Sequence, residues 1–210
     1  MIPWIIATRS PGKLLELAPL FRAFGIEVIG LDAVGVPELP DEAGVEAFGT
    51  FEDNARAKAL YFARLTGRPC IADDSGLCIE ALDGGPGVRS RRIASDLGYA
   101  IDARGEDAAN CEVVLDACWD SGWAPPWRAY YGCAAAYADA TETAHVASGR
   151  TDGAVQSDRS GDGGFGYDPY FVSDDLGISF GLASREAKSR VSHRARAFTA
   201  LVETLQHSRR

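Results

Sequence analysis

The chain has 210 residues, of which 46% are apolar and 24% are charged. This composition is typical of a folded globular protein and excludes a disordered one. Its 30 acidic and 21 basic residues give a formal net charge of −9, which argues against a general affinity for nucleic acids or anionic membranes. The longest run of apolar residues and glycine, residues 129–138, is half as long as the roughly 20 residues that a membrane-spanning helix requires.

Apolar runs and amphipathic segments alternate along the chain. Runs of β-branched, aromatic and small apolar residues predict strands, which are Ile2–Ala7, Val28–Leu31, Pro69–Ala72, Leu77–Ala81, Ala129–Ala138, Val146–Gly149 and Tyr170–Val172. Capping residues and apolar residues at helical spacing predict helices, which run from Ser10 to Gly25, from Thr50 to Gly67, over 107–119 and from Ser192 onward. Because helices and strands interleave, the predicted fold class is α/β. No linker composition divides the chain, so residues 1–210 are predicted to form a single domain.

The segment Thr8-Arg9-Ser10-Pro11-Gly12-Lys13 joins the first predicted strand to the start of the first helix. The first amides of a helix have no intrahelical partners and carry the positive end of the helix dipole, an arrangement that binds phosphate. Lys13 is within reach of an anion there, and the hydroxyls of Thr8 and Ser10 add hydrogen-bonding groups. The segment is also typical of an ordinary strand–helix turn with a surface lysine, because it lacks the G-x-x-x-x-G-K-[ST] pattern.

Two adjacent carboxylates, Asp73 and Asp74, follow the apolar run that ends at Ala72. Ligands of open α/β sheets bind beyond the carboxyl ends of the strands, and in an extended chain neighbouring side chains point to opposite faces, so one of the two acids meets the ligand. Together with Glu42, Asp74 would supply hard oxygen ligands for Mg²⁺, and Mn²⁺ suits the same donors. The alternative is a polar Asp-Ser-Gly turn between two strands.

The segment Gly163–Pro169 interleaves glycines with two aromatic residues, Phe165 and Tyr167. Glycine permits the backbone to approach a ligand closely, an aromatic ring stacks on a nucleobase, and Asp168 accepts a hydrogen bond from a ring N–H. A flexible hairpin with its aromatic rings packed inward is the alternative.

Further basic residues lie near predicted helix starts. His193 and Arg194 open the last helix, and Lys188 lies just upstream. Lys58 shares a helix face with Asn54 at a spacing of four residues. Each is also typical of a solvated helix surface, but together with the carboxylates and the glycine-rich segment they fit a magnesium–nucleoside triphosphate better than an apolar ligand.

Several of these segments resemble, in the same order and over nearly the whole chain, the inosine/xanthosine triphosphate pyrophosphatase family. The matching segments are Ile5–Thr8 with Gly12–Leu17, Phe51–Ala55 with Lys58 and Ala59, Ala72–Leu77, Gly85–Val88, Gly163–Pro169 and Ser192–Arg194. The resemblance implies an elongated two-lobed α/β fold around a long mixed β-sheet with flanking helices. It also implies an active site in the cleft between the lobes and a homodimer.

The implied activity is the Mg²⁺-dependent hydrolysis of noncanonical purine nucleoside triphosphates to monophosphate and pyrophosphate. The substrates would be inosine and xanthosine triphosphates and their deoxy forms, and the role would be nucleotide-pool sanitation. By matching position, the resemblance implies that Thr8 to Lys13 hold the phosphates, with Lys13 and Asp74 as catalytic residues, and that Glu42 and Asp74 bind the metal. Further residues implied to bind substrate are Lys58, Ser75, Phe165, Gly166, Tyr167, Asp168, Lys188, His193 and Arg194.

Some positions depart from the family pattern. Ser10 stands where the family has asparagine, and extra residues separate Glu42 from Asn54. Arg89 and Arg91 replace other residues after the Pro-Gly turn. Two alternatives therefore stay open: a nucleotide-binding regulator without turnover, and a pyrophosphatase with a shifted base preference.

The cysteines indicate the compartment. The five cysteines include no C-x-x-C pair, so neither a disulfide framework nor a thiolate zinc site is expected. A reducing cytoplasm is the predicted location, and neither nucleic acid nor a membrane is expected as a partner.

Overall fold

The computed structural model describes residues 3–207, with the backbone alone at Pro11 and Ala43. Within this range the strands are β1 (Trp4–Ile6), β2 (Val28–Gly30), β3 (Cys70–Ile79), β4 (Trp127–Ala138), β5 (Ala144–Val155) and β6 (Phe171–Ser173). The α-helices are α1 (Pro11–Ala23), α2 (Phe51–Thr66), α3 (Ile93–Asp96), α4 (Glu106–Asp120), α5 (Arg185–Val191) and α6 (His193–His207). All four predicted helices are confirmed, whereas α3 and α5 were not predicted.

The strands form one mixed sheet in the order β2-β1-β3-β4-β5-β6. Strand β1 runs parallel to both of its neighbours, with Ile5 opposite Ile29 of β2 and opposite Cys70 of β3. At the other end, β5 and β6 are antiparallel, with Val155 opposite Phe171. The predicted α/β class, with a mixed sheet and flanking helices, is confirmed.

The chain divides into two compact units that are interleaved in sequence. Unit 1 comprises the chain up to Asp74, Cys133–Gly149 and the chain from Arg194, and unit 2 comprises Ser75–Gly132 and Arg150–His193. Strands β3, β4 and β5 each contribute residues to both units. The single domain, the two-lobed shape and the cleft remain predictions.

Unit 1 has two hydrophobic clusters that take alternate residues of the same strands. Trp4 and Ile6 pack in a cluster with Phe198 of α6, whereas Ile5 packs in a second cluster with Phe62 of α2. In β4 the alternation is the same: Cys133, Ala135 and Tyr137 join the first cluster, and Ala134, Ala136 and Ala138 join the second. Successive side chains of a strand point to opposite faces, and a strand buried on both faces is apolar throughout. This explains why the predicted central strand shows little polar alternation.

Strand β3 is continuous, so the predicted break into two strands around Asp73-Asp74-Ser75-Gly76 is wrong. A Cβ atom at Gly76 would lie 2.1 Å from the carbonyl oxygen of Gly87 and 2.5 Å from Ser90 Oγ. The amide of Leu77 donates a hydrogen bond to Ser90 Oγ at 2.9 Å. Gly76 therefore serves a close approach of another segment to an extended strand, and it does not make a turn.

Two further features concern the predicted environment. In the described range, no helix combines the length and the apolar character needed to cross a membrane. All five cysteines are buried and carry free thiols. The cytoplasmic location remains a prediction.

Candidate active site

The start of α1 has the predicted cap. Ser10 adopts an extended backbone conformation, and its Oγ accepts a hydrogen bond from the amide of Lys13 at 3.5 Å. Its own amide donates to Thr8 Oγ1 at 3.1 Å. Pro11 occupies the first helical turn, and its predicted substrate contact lies outside the described side chains. The segment therefore links β1 to α1, and Gly12 supplies the remaining first-turn amide, because Pro11 has no N–H and the amide of Lys13 bonds the cap.

Asp73 is the counter-ion of two buried cations. Its Oδ2 lies 2.8 Å from Lys13 Nζ and 3.1 Å from Arg194 Nε, and its side chain is 2% exposed. Arg194 is equally buried and reaches a second acid, since its Nη1 lies 2.7 Å from Glu16 Oε2. Lys13 and Glu16 lie three residues apart on α1, while Arg194 belongs to the first turn of α6. The network therefore ties these two helices to strand β3.

The charges in this network shift the pKa values of its members. Burial lowers the pKa of Lys13, and the positive charges of Arg194 and Lys58 lower it further, against the attraction of Asp73. Burial alone would raise the pKa of Asp73, but Lys13, Arg194 and Lys58 bring it well below its usual range. Burial would also lower the pKa of Arg194, which its carboxylate neighbours raise. Asp73 is therefore ionised at neutral pH and balances the cations.

Asp74 lies next in the strand and has a different environment. Its Oδ2 accepts a hydrogen bond from Asn54 Nδ2 at 2.8 Å. Asn54 is fully buried on α2, and its amide also bonds both backbone groups of Phe48, which orients it. Burial raises the pKa of Asp74, the hydrogen bond from Asn54 lowers it, and the negative charge of Glu46 raises it. Asp74 is thus a half-buried carboxylate with raised proton affinity.

Lys58 connects Asp73 with a second acid. Its Nζ donates to the backbone carbonyl of Asp73 at 2.9 Å and pairs with Glu46 Oε1. Both Lys58 and Lys13 also act electrostatically on Asp74. The structure therefore brings Lys13, Lys58, Asp74 and Glu46 together in unit 1.

Glu42 has another partner. Its carboxylate binds Arg9, with Oε1 2.5 Å from Nη2 and Oε2 3.1 Å from Nε, and it also accepts from the amide of Leu39 at 3.1 Å. Arg9 donates in addition to the carbonyls of Val36 and Pro37 at 2.9 and 2.7 Å. The hydrogen bond from Arg9 lowers the pKa of Glu42. Arg9 and Glu42, both predicted site residues, therefore hold the loop before α2. The bidentate Arg–carboxylate pair occupies both carboxylate oxygens of Glu42.

In unit 2, Asp168 organises the glycine-rich segment. Its Oδ2 accepts from the Phe165 amide at 2.8 Å and lies 2.5 Å from Lys188 Nζ. A Cβ atom on Gly164 would lie 2.1 Å from the same oxygen, and Gly164 has a φ of +75°. Only glycine suits that position, because other residues are strained at such a φ. Lys188 Nζ lies 4.8 Å from the centroid of the Phe165 ring and 5.1 Å from that of Phe180.

The two aromatic residues of the segment differ in exposure. Phe165 is 50% exposed, whereas Tyr167 is 7% exposed and donates its hydroxyl to the carbonyl of Ser90 at 2.7 Å. The ring of Phe165 therefore lies at the surface beside Lys188, and the ring of Tyr167 belongs to the hydrophobic core of unit 2.

Two more predicted residues lie in unit 2. His193 is 5% exposed and stacks on Tyr131, with ring centroids 4.7 Å apart and an interplanar angle of 13°. Ser75 is half-buried on β3. The side chain of His193 thus packs on an aromatic ring, while its neighbour Arg194 pairs with carboxylates in unit 1.

The sequence profile described as the Ham1 family matches residues 4–204. The chain belongs to the Ham1 family. A dITP/XTP pyrophosphatase of Burkholderia pseudomallei is 40% identical over 204 residues, which cover 96% of this chain and 92% of the relative. The resemblance stated from the sequence motifs is confirmed.

Solved structures of Ham1 proteins have the same fold. A HAM1 protein from Coxiella burnetii aligns with a TM-score of 0.82 at 30% identity, covering 99% of this chain and all of the other. A structure from Mycobacterium abscessus, titled nucleoside-triphosphatase / dITP/XTP pyrophosphatase, aligns with a TM-score of 0.69 at 35% identity, covering 95% of this chain and 98% of the other.

Two members of the candidate site in this Ham1 chain, Glu16 and Glu46, were not singled out from the sequence, and Asn54 and Asp73 were noted there without an assigned role. The extra residues between Glu42 and Asn54 were a signal for Glu46. They separate Glu42 from the helix that bears Asn54 and Lys58, and Glu46 lies nearer to that helix in the chain. Glu16 also carried a signal, since it lies one helical turn after Lys13 and shares a face with it. Nothing in the sequence indicates that Asp73 pairs with Arg194.

Asn54 provides a test of the environment of Asp74. Replacing Asn54 with alanine is expected to raise the pKa of Asp74, because the lost hydrogen bond stabilises the ionised carboxylate. Glu46→Gln is expected to lower the same pKa, because it removes a like charge. Titration of the Asp74 carboxyl carbon by NMR in the metal-free protein measures both. Shifts in the same direction for the two variants would contradict this account.

Proposed function

We propose that this chain hydrolyses noncanonical purine nucleoside triphosphates, namely inosine and xanthosine triphosphates and their deoxy forms, to monophosphate and pyrophosphate. The observation that carries the proposal is the meeting of Lys13 and Lys58 with Asp74 and Glu46 beside the start of α1 in unit 1. Cations there suit phosphate oxygens, and carboxylates there suit a divalent ion and a water molecule. The names of the Ham1 relatives support the same activity.

Residues around the start of α1 bind the triphosphate. The Gly12 amide in the first turn of α1 and the hydroxyls of Thr8 and Ser10 donate hydrogen bonds to its oxygens, as groups at helix N-termini do. Lys13 is 16% exposed, and a charge in such a partly water-excluded position acts more strongly than one in bulk water. Because Asp73 holds the ammonium group in place before substrate binds, little reorganisation is needed to stabilise the charge that develops on the pyrophosphate leaving group.

Asp74 activates the attacking water. A general base works best when its pKa lies nearer the working pH, and burial raises the pKa of Asp74 above that of an ordinary aspartate. Asn54 fixes one of its oxygens at 2.8 Å, which orients the carboxylate. Attack of water on the α-phosphorus breaks the bond to the bridging oxygen, which leaves with pyrophosphate.

Asp74 and Glu46 would hold the divalent ion. Two carboxylates suit Mg²⁺, which completes its coordination shell with water and substrate phosphates, and Mn²⁺ accepts the same donors. In residues 3–207, no three His, Cys, Asp or Glu side chains converge on a common point. When bound, the ion supplies positive charge to the phosphate oxygens. Glu46 takes the role expected of Glu42, because both carboxylate oxygens of Glu42 bind Arg9, whereas Glu46 acts electrostatically on Asp74.

The same substitution at two glutamates tests this assignment. Glu46→Gln is expected to raise the Mg²⁺ concentration for half-maximal activity by about tenfold or more, because it removes one anionic ligand. Glu42→Gln is expected to leave that concentration close to the wild-type value. Magnesium titrations of pyrophosphate release measure both, and a larger effect at Glu42 than at Glu46 would restore the assignment made from sequence.

The glycine-rich segment binds the base. The exposed ring of Phe165 stacks on the purine, and backbone groups of the glycine-rich segment approach its edge. A 6-oxopurine presents a ring N–H and an acceptor where adenine presents an acceptor and a donor. Adenine would leave polar groups of the pocket unpaired, and such mismatches discriminate more strongly than shape does. Lys188 and Asp168 supply a donor and an acceptor beside the ring.

A panel of nucleoside triphosphates with pyrophosphate detection tests the proposed function. We expect the highest kcat/KM for inosine and xanthosine triphosphates, with pyrophosphate and monophosphate formed in equal amounts. Release of inorganic phosphate alone would contradict the proposed bond cleavage. Tight binding without turnover would indicate the regulator, and a maximum at another base would indicate a shifted preference. We also propose a homodimer and a cytoplasmic location, and both rest on the family resemblance alone. Sedimentation tests the dimer.

A further inference from the structure

Helix α4 holds both sides of Gly166 in the glycine-rich segment of unit 2. Asp107 Oδ2, in the first turn of the helix, accepts a hydrogen bond from the Gly166 amide at 3.1 Å. One turn further along, Cys111 Sγ donates to the Gly166 carbonyl at 3.5 Å. Gly166 has a φ of +56°, a conformation that glycine adopts readily but that most other residues do not. Two side chains of one helix thus fix the two peptide groups that meet at this residue.

These contacts determine which backbone groups face away from α4. A trans peptide group is planar, and its N–H and C=O point in opposite directions. Because the Gly166 carbonyl accepts from Cys111, the amide of Tyr167 in the same peptide group points to the other side. Within the described residues this amide has no hydrogen-bond partner, while the Tyr167 ring is anchored to Ser90. The segment therefore holds this N–H donor in a fixed direction two residues after Phe165, whose ring is 50% exposed.

We propose that Asp107 and Cys111 are positioning residues for base selection. They hold the peptide groups of Gly166 so that the Tyr167 amide donates a hydrogen bond to the oxygen of a 6-oxopurine. In adenine the same amide would meet an amino group, which is itself a donor. Neither residue touches the substrate. This inference rests on the proposed function, since it requires that the base bind at the glycine-rich segment.

Asp107 and Cys111 together form a clamp on Gly166. Burial keeps the thiol of this clamp in its donor state. Burial raises the pKa of the Cys111 thiol to about 12, with a contribution from the charge of Asp107. The thiol is therefore protonated at neutral pH and remains a donor. Asp107 is exposed, so its carboxylate stays hydrated while it accepts the Gly166 amide.

Matched variants of α4 test the role of the clamp in catalysis. Asp107→Ala is expected to lower the ratio of kcat/KM for inosine triphosphate to that for adenosine triphosphate about tenfold, which corresponds to about 1.4 kcal/mol. The loss should arise from KM for inosine triphosphate, with kcat unchanged within about twofold. Asp107→Asn, whose side-chain oxygen still accepts a hydrogen bond, should retain most of the discrimination. Cys111→Ser should do the same, and Cys111→Val should not.

The control is Asp116→Ala, which removes an exposed acid from the same helix and should leave the ratio unchanged. Inhibition by inorganic tripolyphosphate, which has no base, should be the same in Asp107→Ala and in the wild type. A ratio in Asp107→Ala within twofold of the wild-type value would overturn the proposal. An equal loss of kcat/KM for both nucleotides would do so as well, since it would indicate a general structural role.

Amide hydrogen exchange at Gly166 tests the clamp without nucleotide. Exchange should be faster in Asp107→Ala than in the wild type and in Asp116→Ala, because the hydrogen-bonded acceptor is lost. Equal exchange in all three proteins would overturn the clamp. A wild-type protein that hydrolyses no triphosphate would overturn the proposed function instead, so the two failures are distinguishable.

Discussion

Replacing Asp74 with asparagine is expected to lower kcat for inosine triphosphate by about 10²- to 10⁴-fold, the range that general acid–base catalysis contributes. Asparagine has nearly the same shape and still accepts the hydrogen bond from Asn54, but it does not take a proton from water. Its neutral oxygen is also a weaker ligand for a divalent ion. Steady-state kinetics with pyrophosphate detection at saturating Mg²⁺ measures the effect.

The same variant is expected to fold at least as stably as the wild type in the absence of metal. The pKa of Asp74 is raised by burial and by Glu46, which means that the folded protein disfavours the charged form, and asparagine removes that charge. Asp116→Asn, an exposed position on α4, is the control and should change neither activity nor stability. Wild-type turnover in Asp74→Asn would show that Asp74 takes no part in the reaction.

Replacing Asp73 with asparagine is expected to lower the free energy of unfolding by about 3–5 kcal/mol, the usual cost of removing one partner from a buried ion pair. Lys13 and Arg194 would remain buried beside each other without the carboxylate that now lies 2.8 and 3.1 Å from them. Urea unfolding at neutral pH measures the loss. Asp74→Asn is the matched control, because it is the same substitution one residue away. It is not expected to lower the free energy of unfolding.

The effect of Asp73 should depend on pH. Its pKa is depressed in the folded protein, so its contribution to stability is fully present above the unfolded pKa of about 4 and is lost as the pH falls below that value. The wild type should therefore lose stability in acid more steeply than Asp73→Asn, and the two curves should converge. A constant difference between them from pH 7 to pH 3 would show that Asp73 contributes through its shape and not its charge.

Local signals in the chain predicted the helices and most strands well. Ser10 and Thr50 are caps in the structure as their side chains suggest, and each bonds the amide three residues on. In α6 the apolar residues that recur at helical spacing, Phe198, Leu201, Val202 and Leu205, are buried. These features depend on interactions within a few residues, so the sequence determines them almost directly.

The structure differs from the sequence-based expectations where distant segments meet. Glu42 and Glu46 are similar acids in one loop, and only the position of Arg9 decides that the first of them forms an ion pair. The Asp-Ser-Gly segment has the composition of a turn, yet it stays extended because Gly76 accommodates the backbone of Gly87. Local propensity is a weak preference that such tertiary contacts override.

The sequence by itself determined the family, the α/β class and the chemical types gathered in the candidate site: cations at a helix start, paired acids after a strand, and glycines around an aromatic residue. Only the tertiary structure decided which acid faces Asp74, that Asp73 is the counter-ion of Lys13 and Arg194, and that α4 holds Gly166. The physical reason is that these charges and hydrogen bonds act over a few ångströms between residues far apart in the chain. Their partners are therefore chosen by packing and not by sequence spacing.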